Sequence, residues 1–272
     1  VIGANAATPL IAEKLAAIAY TGNIAQTQAQ LNSLGAGLKV VERLSNPTTG
    51  LNAIVTKGAG GRTFIAFQGT QTSNFGSVAS YLNPMQAGGL QFAANKGQLA
   101  ALAAKYPGAV ITGHSQGGSL AQLYASAFPN AVKEVVTFNA SGIGNAAAQA
   151  ATQAGVKASH FIAQGDPVSS AGRAFIGGNV QSGIVGGLNP VAMHNYAVSQ
   201  ASTGGVGLVG NPSLQGIRTS VLNSPNFVAQ YANTGIKLPR RAVVEGVRSG
   251  VGLGLYSAPT LATGAGIYGT QQ

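Results

Sequence analysis

The five residues Gly113-His114-Ser115-Gln116-Gly117 constrain this chain more than any other stretch, because they set a serine between two glycines in a G-x-S-x-G frame. A serine built to attack a carbonyl must sit on a sharp strand-to-helix turn, where bulk two residues to either side would clash. With 40 glycines in 272 residues the frame alone says little, so its flanks carry the argument. Ala109, Val110, Ile111 and Thr112 form a short apolar run that predicts a buried strand entering the turn. Residues 116–125 are glycine-poor after their first turn and stop before Pro129, which predicts a helix leaving it. Strand, turn and helix are the context this motif requires.

Around that turn the pattern alternates. Thr8-Pro9 followed by Leu10, Ile11, Leu15 and Ile18 predicts a capped amphipathic helix with proline at its first position. Residues 38–42 predict a strand, and residues 51–55 and 63–67 a hairpin across Gly58-Ala59-Gly60-Gly61. Helices are expected over 96–106 and 145–154, and strands over 134–138 and 159–163. Such alternation from about Thr63 to Ala163 argues for an α/β fold with a largely parallel sheet flanked by helices. Residues 71–95 are polar with scattered apolar positions and no clear period, which suggests a functional loop or lid. From 201 the chain turns glycine-rich and locally basic, and residues 249–272 carry no charged side chain. The expected division is a catalytic domain over 1–200 and a glycine-rich basic extension over 201–272. Pro259 and mild hydrophobicity favour a packing tail or a link to a neighbouring domain over a membrane span.

Composition excludes several function classes. There is no cysteine, so disulfides and thiolate-held metals are out. Charged residues are only 7% of the chain, and five acids spread along it suit no oxygen-rich metal site. The net charge of +10 comes from scarce acids, without the dense basic stripe and interleaved aromatics expected for nucleic acid. Attraction to an anionic membrane surface fits the charge better. No cofactor is expected. The chain begins at Val1 without a leader-like segment, which is read as a processed form or a domain of a longer protein.

A serine at its ordinary pKa is a poor nucleophile and needs a base, itself oriented by an acid. The chain offers one aspartate and three histidines. Where this turn is used, the acid and then the histidine follow the serine in sequence. Asp166 follows the apolar strand 159–163, and His194 follows Asp166, so Ser115, Asp166 and His194 are the expected triad. His114 adjoins the serine and should point away from the reacting face, while His160 lies inside a strand and suits a hydrogen-bonded core role. Glu134 starts a strand at the far end of the sheet. An oxyanion needs donors too. Gln116, directly after the serine, offers its N–H, and Thr70, after the strand 63–67 and Gly69, offers N–H and hydroxyl.

These pieces together resemble the class 3 (fungal-type) lipases of the α/β-hydrolase superfamily. The resemblance rests on Ala66 to Thr70 with Ser73-Asn74-Phe75, on Ile111 to Gly118, and on Val136 to Ala140 with Gly144-Asn145. Gly165-Asp166-Pro167-Val168 and His194 complete it, over about residues 51–200. It implies an α/β-hydrolase fold, a lipid ester substrate, hydrolysis through an acyl-enzyme, and a lid near 71–95. Gln68 stands where the family often has arginine, Phe75 where tryptophan is usual, and Gln116 replaces the common leucine. Those departures look more like bacterial lipase-like or phospholipase-like relatives, and imply a secreted or extracytoplasmic bacterial protein. Acyl transfer to another alcohol would use the same machinery. The alternative from a different class is a catalytically silent lipid-binding or membrane-anchoring module on the same fold.

Overall fold

The computed structural model describes residues 3, 5–70, 88–163, 166, 168–183, 194, 195, 208 and 209. Two helices come first, α1 (Thr8–Ile18) and α2 (Ile24–Leu34). The antiparallel strands β1 (Lys39–Asn46), β2 (Leu51–Lys57) and β3 (Thr63–Phe67) follow, then the short α3 (Gly89–Ala94) and α4 (Lys96–Lys105). From there strands and helices alternate: β4 (Ala109–His114), α5 (Gln116–Ala127), β5 (Val132–Phe138), α6 (Asn145–Gln153), β6 (Ala158–Ala163) and β7 (Asn179–Gly183). The short β8 (Leu208–Val209) closes the far edge. All eight strands form one sheet in chain order; β3 to β7 run parallel, and β8 pairs antiparallel with β7. The α/β-hydrolase fold expected from the sequence is the one observed.

The central strands are mostly apolar because both faces of the sheet are covered. Period-two alternation sorts their side chains. Ile65 and Phe67 of β3, Ile111 of β4 and Val135 of β5 pack with Leu99 and Leu102 of α4 and with Leu120 and Tyr124 of α5. Phe64 and Ala66, Val110, and Val136 and Phe138 from the same strands pack on the other face with Ile11, Leu15 and Ile18 of α1 and Leu31 of α2. Each such side chain, fully buried, contributes roughly 1.5–3 kcal/mol.

Three expectations are corrected. Helix α1 begins one residue before Pro9, with Ala7 at its N-cap and no side-chain cap, so Thr8 lies inside the helix. Within the expected lid, residues 89–94 form helix α3, whose Phe92 is buried against the core, and residues 71–87 lie outside the described residues. Helix α2 was not anticipated, because its sequence is polar and buries only Thr27 and Leu31. Its signals are local: Asn23 caps the Gln26 N–H at 2.9 Å, and Gly35 ends it in the left-handed conformation at φ 65°. Apart from Leu208 and Val209, the extension over 201–272 lies outside the described residues.

Candidate active site

Register fixes the place of the site before any side chain is considered. Phe67 pairs with Gly113, His114 with Phe138, and Phe138 with Phe161. The carboxyl ends of β3, β4, β5 and β6 are therefore level, and the next residues, Gln68, Ser115, Asn139 and those leading to Asp166, emerge along one edge. Ligands of open α/β sheets collect at that edge.

Ser115 sits between β4 and α5 at φ 58° and ψ −130°, a conformation that non-glycine residues avoid. Such strain persists only where the surroundings impose it. Here the Ser115 N–H donates to the Phe138 carbonyl at 3.1 Å, tying the turn to β5. The flanking glycines are required by close approach. A Cβ on Gly113 would overlap the Gly117 backbone, and one on Gly117 would overlap the Phe67 carbonyl of the neighbouring strand.

The acid and the base meet across the next two strand ends. Asp166 is fully buried, and its Oδ1 accepts the His194 Nδ1–H at 2.8 Å. Oδ1 also accepts the Val168 N–H at 3.2 Å, while Oδ2 accepts the Ser169 N–H at 3.1 Å and the Ser169 hydroxyl at 2.5 Å. Four donors satisfy a carboxylate that burial would otherwise make costly. With Nδ1–H donated to Asp166, Nε2 is the His194 nitrogen left free to take a proton.

His194 is also held by its backbone. Its carbonyl accepts the Asn139 Nδ2–H at 2.9 Å and the His114 Nε2–H at 2.8 Å. Asn139 adopts φ 46°, and its Oδ1 accepts the Ala163 N–H at 2.8 Å, so one side chain joins the end of the strand before the acid to the base. His114 does more than point away from the reacting face. Its ring centroid lies 4.6 Å from that of His194, and its Nδ1 accepts the Tyr20 hydroxyl at 3.1 Å. Tyr20 in turn accepts the Gly69 N–H. Burial, then the nearby His194 charge, push the His114 pKa well below 6.5, against the opposing hydrogen bond to the His194 carbonyl. His114 is therefore the neutral Nε2–H tautomer. Sequence reading assigned no part to Tyr20, Asn139 or the His114 ring. Only tertiary contact reveals Tyr20, 94 residues from His114.

His160 takes the core role expected of it. Its Nδ1 is 2.7 Å from the Thr137 hydroxyl, its Nε2 is 2.9 Å from the Ile176 carbonyl, and burial lowers its pKa to about 4.

On the opposite flank of Ser115, Thr70 and Gln116 face each other. The Thr70 hydroxyl donates to the Gln116 Oε1 at 2.6 Å. That bond engages the Thr70 hydroxyl proton and pins the loop to α5. The Gln116 N–H, at the first position of α5, has no intrahelical acceptor. Among the described residues, no group of three His, Cys, Asp or Glu side chains could hold a metal, and no helix is long and apolar enough to cross a membrane.

Residues 64–174 match the family model described as lipase (class 3). Similar solved structures include a mutant of MDLA from Penicillium cyclopium, 16% identical with a TM-score of 0.52, covering 74% of this chain and 84% of that one. A triacylglycerol lipase from Penicillium expansum is 19% identical with a TM-score of 0.45, covering 74% and 88%. Lipase II from Rhizopus niveus is 17% identical with a TM-score of 0.43, covering 63% and 77%. No curated protein sequence matches the chain. The Penicillium cyclopium structure agrees with the fold described above.

Proposed function

We propose that this chain, a carboxylic ester hydrolase of the class 3 lipase family over residues 64–174, cleaves lipid esters with Ser115 as nucleophile, His194 as base and Asp166 as its orienting acid. The observation that carries the assignment is the buried 2.8 Å bond between Asp166 and His194 at the sheet edge where Ser115 turns.

In this reading His194 Nε2 takes the Ser115 hydroxyl proton as Oγ bonds to the ester carbonyl carbon. The tetrahedral oxyanion receives the N–H groups of Thr70 and Gln116, donors of a kind worth roughly 3–4 kcal/mol apiece. His194 then gives its proton to the departing alcohol, leaving an acyl-enzyme. Water, deprotonated by the same nitrogen, attacks the acyl carbon; the acid leaves and Ser115 recovers its proton. Asp166 stays ionised and holds the tautomer. The backbone clamp from Asn139 and His114 keeps the imidazole in place through both steps.

The division into a catalytic unit over 1–200 and an extension over 201–272 is part of the proposal, as is secretion to an extracytoplasmic site. A net charge of +10 supports work at an anionic lipid surface, and leaves phospholipids among the substrates to be tried. The experiment is hydrolysis of p-nitrophenyl esters of increasing chain length by the native chain and by Ser115→Ala. Activity that peaks at long chains and vanishes in the variant is expected. Activity that survives Ser115→Ala would remove the serine from the reaction, and no activity at any length would favour a lipid-binding module.

A further inference from the structure

The turn that carries Asp166 holds one hydrogen-bond donor more than its own backbone needs. Asp166 follows β6, with its N–H donating to the Ala163 carbonyl at 3.0 Å, and precedes the single 3-10 turn Val168–Ser170. Its carboxylate caps that turn: Oδ1 accepts the Val168 N–H, and Oδ2 accepts the Ser169 N–H. Both donors are main-chain groups, so any residue but proline at 169 would supply the second. Main chain alone also ties the turn to its surroundings. The Ala171 N–H donates to the Val168 carbonyl at 3.0 Å, and the Gly142 N–H, in the loop after β5, donates to the Ala171 carbonyl at 2.9 Å.

The Ser169 hydroxyl serves none of this. It is fully buried, a place where an unbonded hydroxyl is costly and a methyl group is not. It donates instead to Asp166 Oδ2 at 2.5 Å. An ionised carboxylate offers about four lone-pair sites. His194 Nδ1–H and the Val168 N–H take those of Oδ1, and the Ser169 N–H and O–H take those of Oδ2. The hydroxyl is thus the donor that closes the shell. A rotation of the carboxylate about its Cβ–Cγ bond, which would carry Oδ1 away from His194, has to break the bonds on both oxygens together.

We propose that Ser169 is a positioning residue for the reaction: by occupying Oδ2, its hydroxyl holds Oδ1 on the His194 Nδ1–H and keeps the imidazole aimed at Ser115 as it takes and returns the proton. The inference rests on the catalytic reading above, in which Asp166 orients His194.

The test measures kcat and KM of the full chain on p-nitrophenyl butyrate, with a urea unfolding curve for each protein, for the native chain, Ser169→Ala, Asp166→Asn and the double variant. Ser169→Ala deletes one donor to a charged group and should lower kcat by about 10-fold while KM stays within about twofold. In the Asp166→Asn background the imidazole has already lost its orienting acceptor. There the same change should lower kcat by less than about twofold, because both substitutions act through one imidazole. A Ser169→Ala chain with kcat within about twofold of native would overturn the proposal. So would a loss carried by KM, or a loss that multiplies in full onto that of Asp166→Asn, the mark of a general loosening of the fold. If Ser169→Ala does not fold, Ser169→Cys, close to serine in size but a weak donor, decides by the same criteria. A crippled Asp166→Asn beside an unimpaired Ser169→Ala overturns the positioning role alone. A near-native kcat in Asp166→Asn overturns the catalytic reading and this one with it.

Discussion

The two flanks of Ser115 spend their polar groups differently. On the side of β5 and β6, Asp166 accepts four hydrogen bonds, the His194 carbonyl accepts two, and Asn139 uses both ends of its amide. On the side of β2 and α3, the Gln91 Oε1 is buried without a partner. In the proposed reaction the first flank holds one imidazole in one orientation, and closed hydrogen bonding does that. The second lines the open cleft beside Thr70 and Gln116.

The largest effects should fall on the closed flank. Asp166→Asn replaces the acceptor that fixes the His194 tautomer while preserving shape, and should cost about 10⁴-fold in kcat with little change in the fold. A near-native rate would remove Asp166 from the reaction. Next comes acid. Folding keeps His160 neutral, with its pKa at about 4 against the ordinary 6.5. Between those values the unfolded chain binds a proton that the native one does not, so stability falls as pH drops from 6.5 toward 4. For His160 the loss is about 3 kcal/mol, and buried His114 acts in the same direction. The described lining of the cleft flank holds no titratable side chain. Urea unfolding at pH 7 and pH 4 should therefore show His160→Gln losing about 3 kcal/mol less than the native chain across that interval. An undiminished loss would place the acid sensitivity elsewhere.

What the sequence revealed and what it hid follow the same division between local and tertiary cause. Ser115 was legible because its turn imposes residue types on its immediate neighbours, the glycines at 113 and 117, with a strand before and a helix after. Asp166 and His194 were legible through scarcity, the chain having one aspartate and few histidines. The parallel run of β3 to β6 followed from alternation alone, whereas β7 was not anticipated. Asn139 and Tyr20 left no such trace. Asn139 earns its place from strand register, which levels Phe138 with Phe161 and His114, and Tyr20 from the packing of the N-terminal segment across the sheet. The Thr70–Gln116 bond was hidden for a similar reason: from Gly69-Thr70 alone the hydroxyl looks available, and only the approach of Gln116, 46 residues away, engages it. Helix α2 was missed because its polar sequence has little periodicity, although its capping residues were visible.

The clamp on His194 offers a sharper test of the closed flank. Asn139→Gly keeps the backbone free to adopt φ 46° yet removes the bonds to Ala163 and to the His194 carbonyl. Displacing the base by about 1 Å costs on the order of 10²-fold in rate, so kcat on a short-chain ester should fall by that order while KM changes little. A variant that loses stability but retains kcat would show the clamp to be structural only.

Between the two flanks stands the Thr70–Gln116 bond, and its removal should have the smallest effect. Thr70→Val deletes the hydroxyl and leaves the N–H that the mechanism uses. Losing one such bond, at about 1 kcal/mol, should lower kcat/KM by about fivefold, because the loop that carries one oxyanion donor is no longer pinned to the helix that carries the other. Gln116→Met removes the acceptor from the opposite side and should cost about the same, and the double variant should cost no more than either single one if the two side chains act as a pair. Losses that instead multiply would mean that each side chain serves the reaction separately, and that the Thr70 hydroxyl turns from Gln116 to the oxyanion as substrate binds.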